Sequence, residues 1–296
     1  MPRVKKRHVL SGIKVREAMR RQVIKLPQSA TIDYCINRMI KYKINSVLLT
    51  DEKLRPGGMV SKTDIMSAFY AEFPTHTPVE SIMVGPLLYC YPDDELESSL
   101  DIMHLNGVHR LYVLGAKADE VAGVIAYPDI VGLLYRYCRA CDKGLLKTRR
   151  RRTEDDYRRL KVQDVMTSAV TAYHDEEALV TIIEGLTEHR CGAVLITNAE
   201  NKAAGVVSKS DLIVAYKHGL AVDVRARNVM STPVRSCPAE TELSDAIQLM
   251  LLKDVQRIFI HADDPTNIVG VLSLSDAARF RSGSCRACTS SQLMRL

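Results

Sequence analysis

The chain has 296 residues, enough for about two ordinary domains, and its 46% hydrophobic and 26% charged residues are a globular balance. No apolar run approaches the roughly 18–20 residues that span a bilayer, and no apolar segment follows the basic Met1–His8, so a cytoplasmic protein with no membrane partner is expected. The net charge of +6 gathers in Arg3–Arg7 and Arg149–Arg152, with Arg158, Arg159 and Lys161 beyond; lacking an aromatic platform or a recognition helix, these runs read as solvated tail and linker, and nucleic acid is not an expected partner.

In chain order, one pattern of elements comes round four times. A methionine opens each unit, at Met19, Met83, Met166 and Met230. A short extended stretch follows (Val23-Ile24, Leu87-Leu88, Val170-Thr171, Val234-Arg235). Next comes an amphipathic helix with apolar residues near i, i+4 and i+7: Ile32, Ile36, Met39; Leu96, Leu100, Met103; Leu179, Ile183, Leu186; Leu243, Ile247, Met250. Strand-length apolar runs follow at Val47–Leu49, Leu111–Val113, Val194–Ile196 and Ile258–Ile260. Each unit closes on a glycine strand, an aspartate and a second helix: Gly58-Met-Val-Ser-Lys-Thr-Asp64, Gly123-Val-Ile-Ala-Tyr-Pro-Asp129, Gly205-Val-Val-Ser-Lys-Ser-Asp211 and Gly270-Val-Leu-Ser-Leu-Ser-Asp276. The order is β-α-β-β-α in a mixed α/β (α+β) fold.

The spacing divides the units into pairs. Successive opening methionines are 64, 83 and 64 residues apart, and a shift of 147 carries Met19 onto Met166 and Asp64 onto Asp211. The boundaries read as 12–74, 76–141, 159–220 and 223–282, with a basic linker at 142–158. A unit of about 60 residues buries a poor fraction of its surface alone, so each is expected to pack on its neighbour.

With Val-x-x-x-Met openings at Val15–Met19, Val79–Met83 and Val162–Met166 and a Gly-x-x-Ser/Thr-x-x-Asp close, the chain resembles the CBS domain family, whose units work as tandem pairs called Bateman modules. The resemblance covers about residues 12–138 and 159–282. It implies four CBS repeats packed as two pseudo-twofold modules, paired within one chain as a disc or across a homodimer. It also implies a regulatory role: an adenosine compound (AMP, ADP, ATP or S-adenosylmethionine) held between paired units, and a state passed to a protein partner.

The chemistry of the close fits that ligand class. An aspartate past a strand end accepts both hydroxyls of a ribose, which assigns that role to Asp64, Asp211, Asp276 and, last in rank, Asp129. Ser61, Thr63, Ser208, Ser210, Ser273 and Ser275 offer hydroxyls at a helix start suited to phosphate, and Lys62 and Lys209 add mobile positive charge. The even units carry Val108-His109-Arg110 and Val255-Gln256-Arg257, which look like a phosphate-facing His-Arg phrase of the γ subunit of AMP-activated protein kinase. His109, Arg110 and Arg257 are therefore phosphate candidates. The second unit has Ala126 in place of the serine. An aspartate three residues after a serine also fits a helix cap, and both readings stand.

Cys138-Arg-Ala-Cys141 recurs as Cys285-Arg-Ala-Cys288, again 147 residues on. Two such pairs suit four-thiolate binding of Zn²⁺ or an iron–sulfur cluster, or a redox pair, if the topology brings them together. This gives the alternative function, a metal- or redox-sensing interaction protein. Cys35, Cys90, Cys191 and Cys237 read as ordinary packing residues. No Walker loop, Gly-x-Ser-x-Gly elbow or His-Glu-x-x-His is found, so an enzyme is not expected.

Overall fold

The computed structural model describes residues 10, 12–116, 120–136 and 161–278. Each repeat contributes one three-stranded sheet. Unit 1 has β1 (Lys25–Pro27), helix α2 (Ile32–Lys41), β2 (Ser46–Thr50), β3 (Pro56–Ser61) and α3 (Lys62–Tyr70), preceded by the short α1 (Val15–Ala18). Unit 2 has β4 (Tyr89–Cys90), α4 (Leu96–Leu105), β5 (Arg110–Leu114), β6 (Val121–Ala126) and α5, helical over 127–136. Unit 3 has β7 (Ala172–His174), α6 (Leu179–Glu188), β8 (Ala193–Thr197), β9 (Ala203–Ser208) and α7 (Lys209–Lys217). Unit 4 has β10 (Ser236–Pro238), α8 (Leu243–Leu252), β11 (Arg257–His261), β12 (Ile268–Ser273) and α9, helical over 274–278.

In each sheet the long central strand pairs parallel with the short strand and antiparallel with the glycine strand. The short strands begin about two residues later than the apolar pairs that marked them. The second residue of each pair still joins the sheet through its carbonyl, since Leu48, Tyr112, Leu195 and Phe259 donate backbone bonds to Ile24, Leu88, Thr171 and Arg235. The expected helical stripes are buried, with Cys35 and Ile182 added to them. Thr31 caps α2 by accepting from the Tyr34 amide.

The opening segments are exchanged within each pair. Val15 and Arg16 donate to the Asp94 and Pro92 carbonyls of unit 2, while Val79 donates back to Ala30 of unit 1. The second pair repeats this, with Val162 bound to Thr241 and Ala226 to Glu177. The closing glycine explains why. A Cβ on Gly58 would lie 2.7 Å from Met83 Sδ and 2.8 Å from the Val84 carbonyl, and one on Gly123 would lie 2.8 Å from the Arg20 carbonyl. Gly205 and Gly270 similarly have no room for a side chain beside Met230 and Met166. The methionine of one unit therefore docks on the glycine of its partner, so the two sequence markers are halves of one contact.

The two modules pack on each other within the chain. Buried residues of units 1 and 3 form one apolar cluster, and those of units 2 and 4 form another. Across the first, α3 lies on α7, with Phe69 and Tyr216 stacked at 5.1 Å. Among the described residues no helix is long and apolar enough to cross a membrane.

Candidate ligand-binding site

All four closing aspartates sit at helix starts, and each is part of a cap. Asp64 Oδ2 accepts from the Ser61 amide and hydroxyl, both at 2.7 Å, while Ser61 Oγ accepts from the Thr63 and Asp64 amides. Asp211 and Ser208 repeat the box, as do Asp276 and Ser273, where Ser273 Oγ also lies 2.7 Å from Ser275 Oγ. Asp129 keeps only the backbone half, accepting from the Ala126 amide at 2.9 Å, because alanine has no hydroxyl to return. Capping orients these carboxylates by one oxygen, Oδ2, and does not use the other.

The second oxygens differ. Arg20 Nε lies 2.9 Å from Asp129 Oδ1, and the Ser231 hydroxyl donates to Asp211 Oδ1 at 2.7 Å. Burial raises the Asp129 carboxyl above the usual carboxylate range, opposed chiefly by the charge of Arg20.

The lysines do something their position in sequence does not show. Lys62 reaches across the module boundary to donate to Ser210 at 2.7 Å, and Lys209 reaches back to Thr63 at 2.9 Å. Instead of loose charges on their own units, they form a reciprocal pair of cross-links where the starts of α3 and α7 meet. Arg110 and Arg257 also leave their own units, donating to the carbonyls of Ser46 in unit 1 and Ala193 in unit 3. Burial lowers the pKa of all four cations. Arg110 adds to the shift at Lys62, and Arg257 to that at Lys209, so each module brings a lysine and an arginine into one electrostatic neighbourhood.

The His109 ring stands edge-on to Tyr127, 5.6 Å between centroids. Cys138, Cys141, Cys285 and Cys288 lie outside the described residues. Among the described residues no group of three or more His, Cys, Asp or Glu is placed to hold a metal. Cys35, Cys90 and Cys237 are buried and Cys191 is half-buried, as packing residues.

Comparison with known proteins matches the CBS domain to residues 15–71, 79–136, 162–218 and 226–283. The chain belongs to the CBS domain family. Its four CBS domains are arranged much as in the crystal structure of MJ1225 from Methanocaldococcus jannaschii, described as a putative archaeal homolog of g-AMPK. The two superpose with a TM-score of 0.72 over 90% of this chain and 99% of that one, at 13% identity, a likeness of fold. A Pyrococcus horikoshii protein superposes with a TM-score of 0.58 over 91% of this chain and all of that one, at 13% identity. In sequence, the chain is 25% identical over 200 residues to the 5'-AMP-activated protein kinase subunit gamma-3 of Bos taurus, covering 64% of this chain and 38% of that one. It is 31% identical over 116 residues to MK0525 of Methanopyrus kandleri, covering 38% of this chain and 56% of that relative's length. The CBS domain is in general a regulatory unit, and no relative named here is called an enzyme in its own right.

Sequence reading missed Arg20, Ser231, Ser46 and Ala193. The first two were findable in principle, since each directly follows an opening methionine. Ser46 and Ala193 act through backbone carbonyls, which leave no trace in side-chain pattern.

Proposed function

We propose that this protein is a regulatory sensor that binds an adenosine phosphate between its paired CBS domains and passes the bound state to a protein partner. The observation that carries the reading is the convergence of Lys62, Arg110, Lys209 and Arg257 at the junction of the two modules, with burial disfavouring the charge on each. Desolvated cations of this kind gain from an anion that supplies both charge and acceptors, as a phosphate does. Asp64, Asp211 and Asp276, oriented by their caps, are the candidates for a ribose diol, and Ser61, Thr63, Ser208, Ser210, Ser273 and Ser275 stand beside the helix starts that favour phosphate. The sequence similarity to a subunit of a kinase named for activation by 5'-AMP supports the same ligand class.

The arrangement also suggests how a ligand would signal. Lys62 and Lys209 bond across the module boundary, and a phosphate that draws either ammonium away exchanges an inter-module bond for a ligand bond. The two states would then differ in ligand affinity, as coupling requires. Calorimetric titration of the full chain with AMP, ATP and S-adenosylmethionine tests the reading, and saturable heat with an adenosine phosphate is expected. The absence of heat with all three, at protein concentrations that would detect a millimolar dissociation constant, would discard it.

A further inference from the structure

We propose that the residue after each opening methionine selects which closing aspartate accepts a ligand, and that Arg20 is a tethered plug in the site of unit 2. This rests on the adenosine reading above and assigns to that site a residue that decides its occupancy.

The backbone fixes this position identically in every unit. Arg20 and Val124 exchange two backbone hydrogen bonds, as do Val84 with Met59, Thr167 with Val271, and Ser231 with Val206. Each pairing joins the residue after an opening methionine to the residue beside the closing glycine of the partner unit. Four different residues thus occupy one backbone position: Arg20 contacts Asp129 and Ser231 contacts Asp211, with Val84 at the equivalent position of unit 1 and Thr167 at that of unit 4.

Their chemistry ranks the sites. Asp129 has one oxygen on the Ala126 amide and the other on Arg20, both at 2.9 Å, so both are engaged by the protein. The Arg20 side chain is 48% exposed and that of Asp129 only 10%, so the guanidinium stands on the solvent side of the carboxylate and covers it. A neutral diol offers hydroxyls but no charge to replace a guanidinium, which should weaken binding there by about 10- to 100-fold. Ser231 also contacts its aspartate, yet a hydroxyl exchanges readily for another hydroxyl. Val84 has no side-chain donor, so nothing at this position competes for Asp64. The order of ligand affinity follows as Asp64, then Asp211, then Asp129.

Reciprocal variants of the full chain, titrated with AMP and checked by thermal melting, test the inference. Arg20→Val should add one AMP per chain, and Asp129→Ala in that background should remove it. Val84→Arg should remove one AMP from the wild-type stoichiometry. Should Arg20→Val melt early, Arg20→Ser, which copies the residue beside Asp211, replaces it with the same expected gain. A wild-type chain that binds AMP with a stoichiometry unmoved by any of these changes overturns the plug alone. Failure of wild type and the Arg20 variants alike to bind AMP overturns the adenosine reading with it.

Discussion

Units 1 and 3 meet across one half of the molecule and units 2 and 4 across the other, each pair around an apolar cluster, yet the helix starts at the two junctions carry opposite chemistry. At the first residue of the closing helix the odd units have Lys62 and Lys209, which cross-link to Ser210 and Thr63. The even units have Tyr127 and Leu274 at that position, 5% and 4% exposed, inside an apolar cluster shared by both. On the even side the apolar contact extends to the helix starts themselves. The other side has an apolar cluster of its own, with Phe69 stacked on Tyr216, and adds exchangeable hydrogen bonds from desolvated cations at its helix starts, which is where a ligand-dependent change costs least.

The largest effect is expected from importing the odd residue into the even junction. Leu274→Lys places an ammonium in the apolar cluster that holds Tyr127, Ile130 and Ala277 and should destabilise the fold by about 3–5 kcal/mol, read as a fall in the urea midpoint. Next comes the methionine–glycine contact. Gly58→Ala meets the Val84 carbonyl as well as Met83 and should cost about 1–3 kcal/mol, more than Gly205→Ala, whose nearest neighbours are all atoms of the flexible Met230 side chain.

A smaller effect of opposite sign is expected at the odd junction. Lys62→Met should raise the melting temperature of the ligand-free protein while weakening nucleotide binding about 10-fold or more, the loss of one charge-assisted hydrogen bond. The pH dependence follows from the lowered pKa of Lys62. Below its folded-state pKa the half-buried ammonium is charged and costs stability; above its ordinary value the cost is gone. The advantage of Lys62→Met should therefore shrink as pH rises through that window in thermal melts. The smallest effect is chemical: burial, with a further contribution from Asp64, pushes the Cys35 thiol up to about 12, so in native protein at neutral pH it should stay unlabelled by a maleimide, as peptide mapping would show.

The repeat, the pairing and the β-α-β-β-α order were legible because each depends on residues that recur at a fixed shift. Met39 and Met103 announce a helical stripe wherever the helix packs, and the Ser61–Asp64 spacing announces a cap. Less legible was everything set by contact between units. Met83 and Gly58 both marked the repeat, but that they touch follows from segment exchange, which a linear reading assigns to the wrong unit. Lys62 was found as a candidate yet placed on its own unit's site, since nothing in its neighbours says that α3 lies on α7. His109 and Arg110 read as a pair because they are adjacent, but that Arg110 reaches the Ser46 carbonyl of unit 1 and His109 meets Tyr127 is not announced by their neighbours in sequence.

The most direct test of the central claim compares adenosine, AMP and ATP by calorimetry on wild-type protein and on a Lys62→Met, Lys209→Met double variant. If the junction of the odd units reads phosphate, wild type should bind AMP and ATP at least tenfold more tightly than adenosine, and the double variant should bring the three together. Equal affinities for all three in wild type, or a preference that survives loss of both lysines, would contradict it.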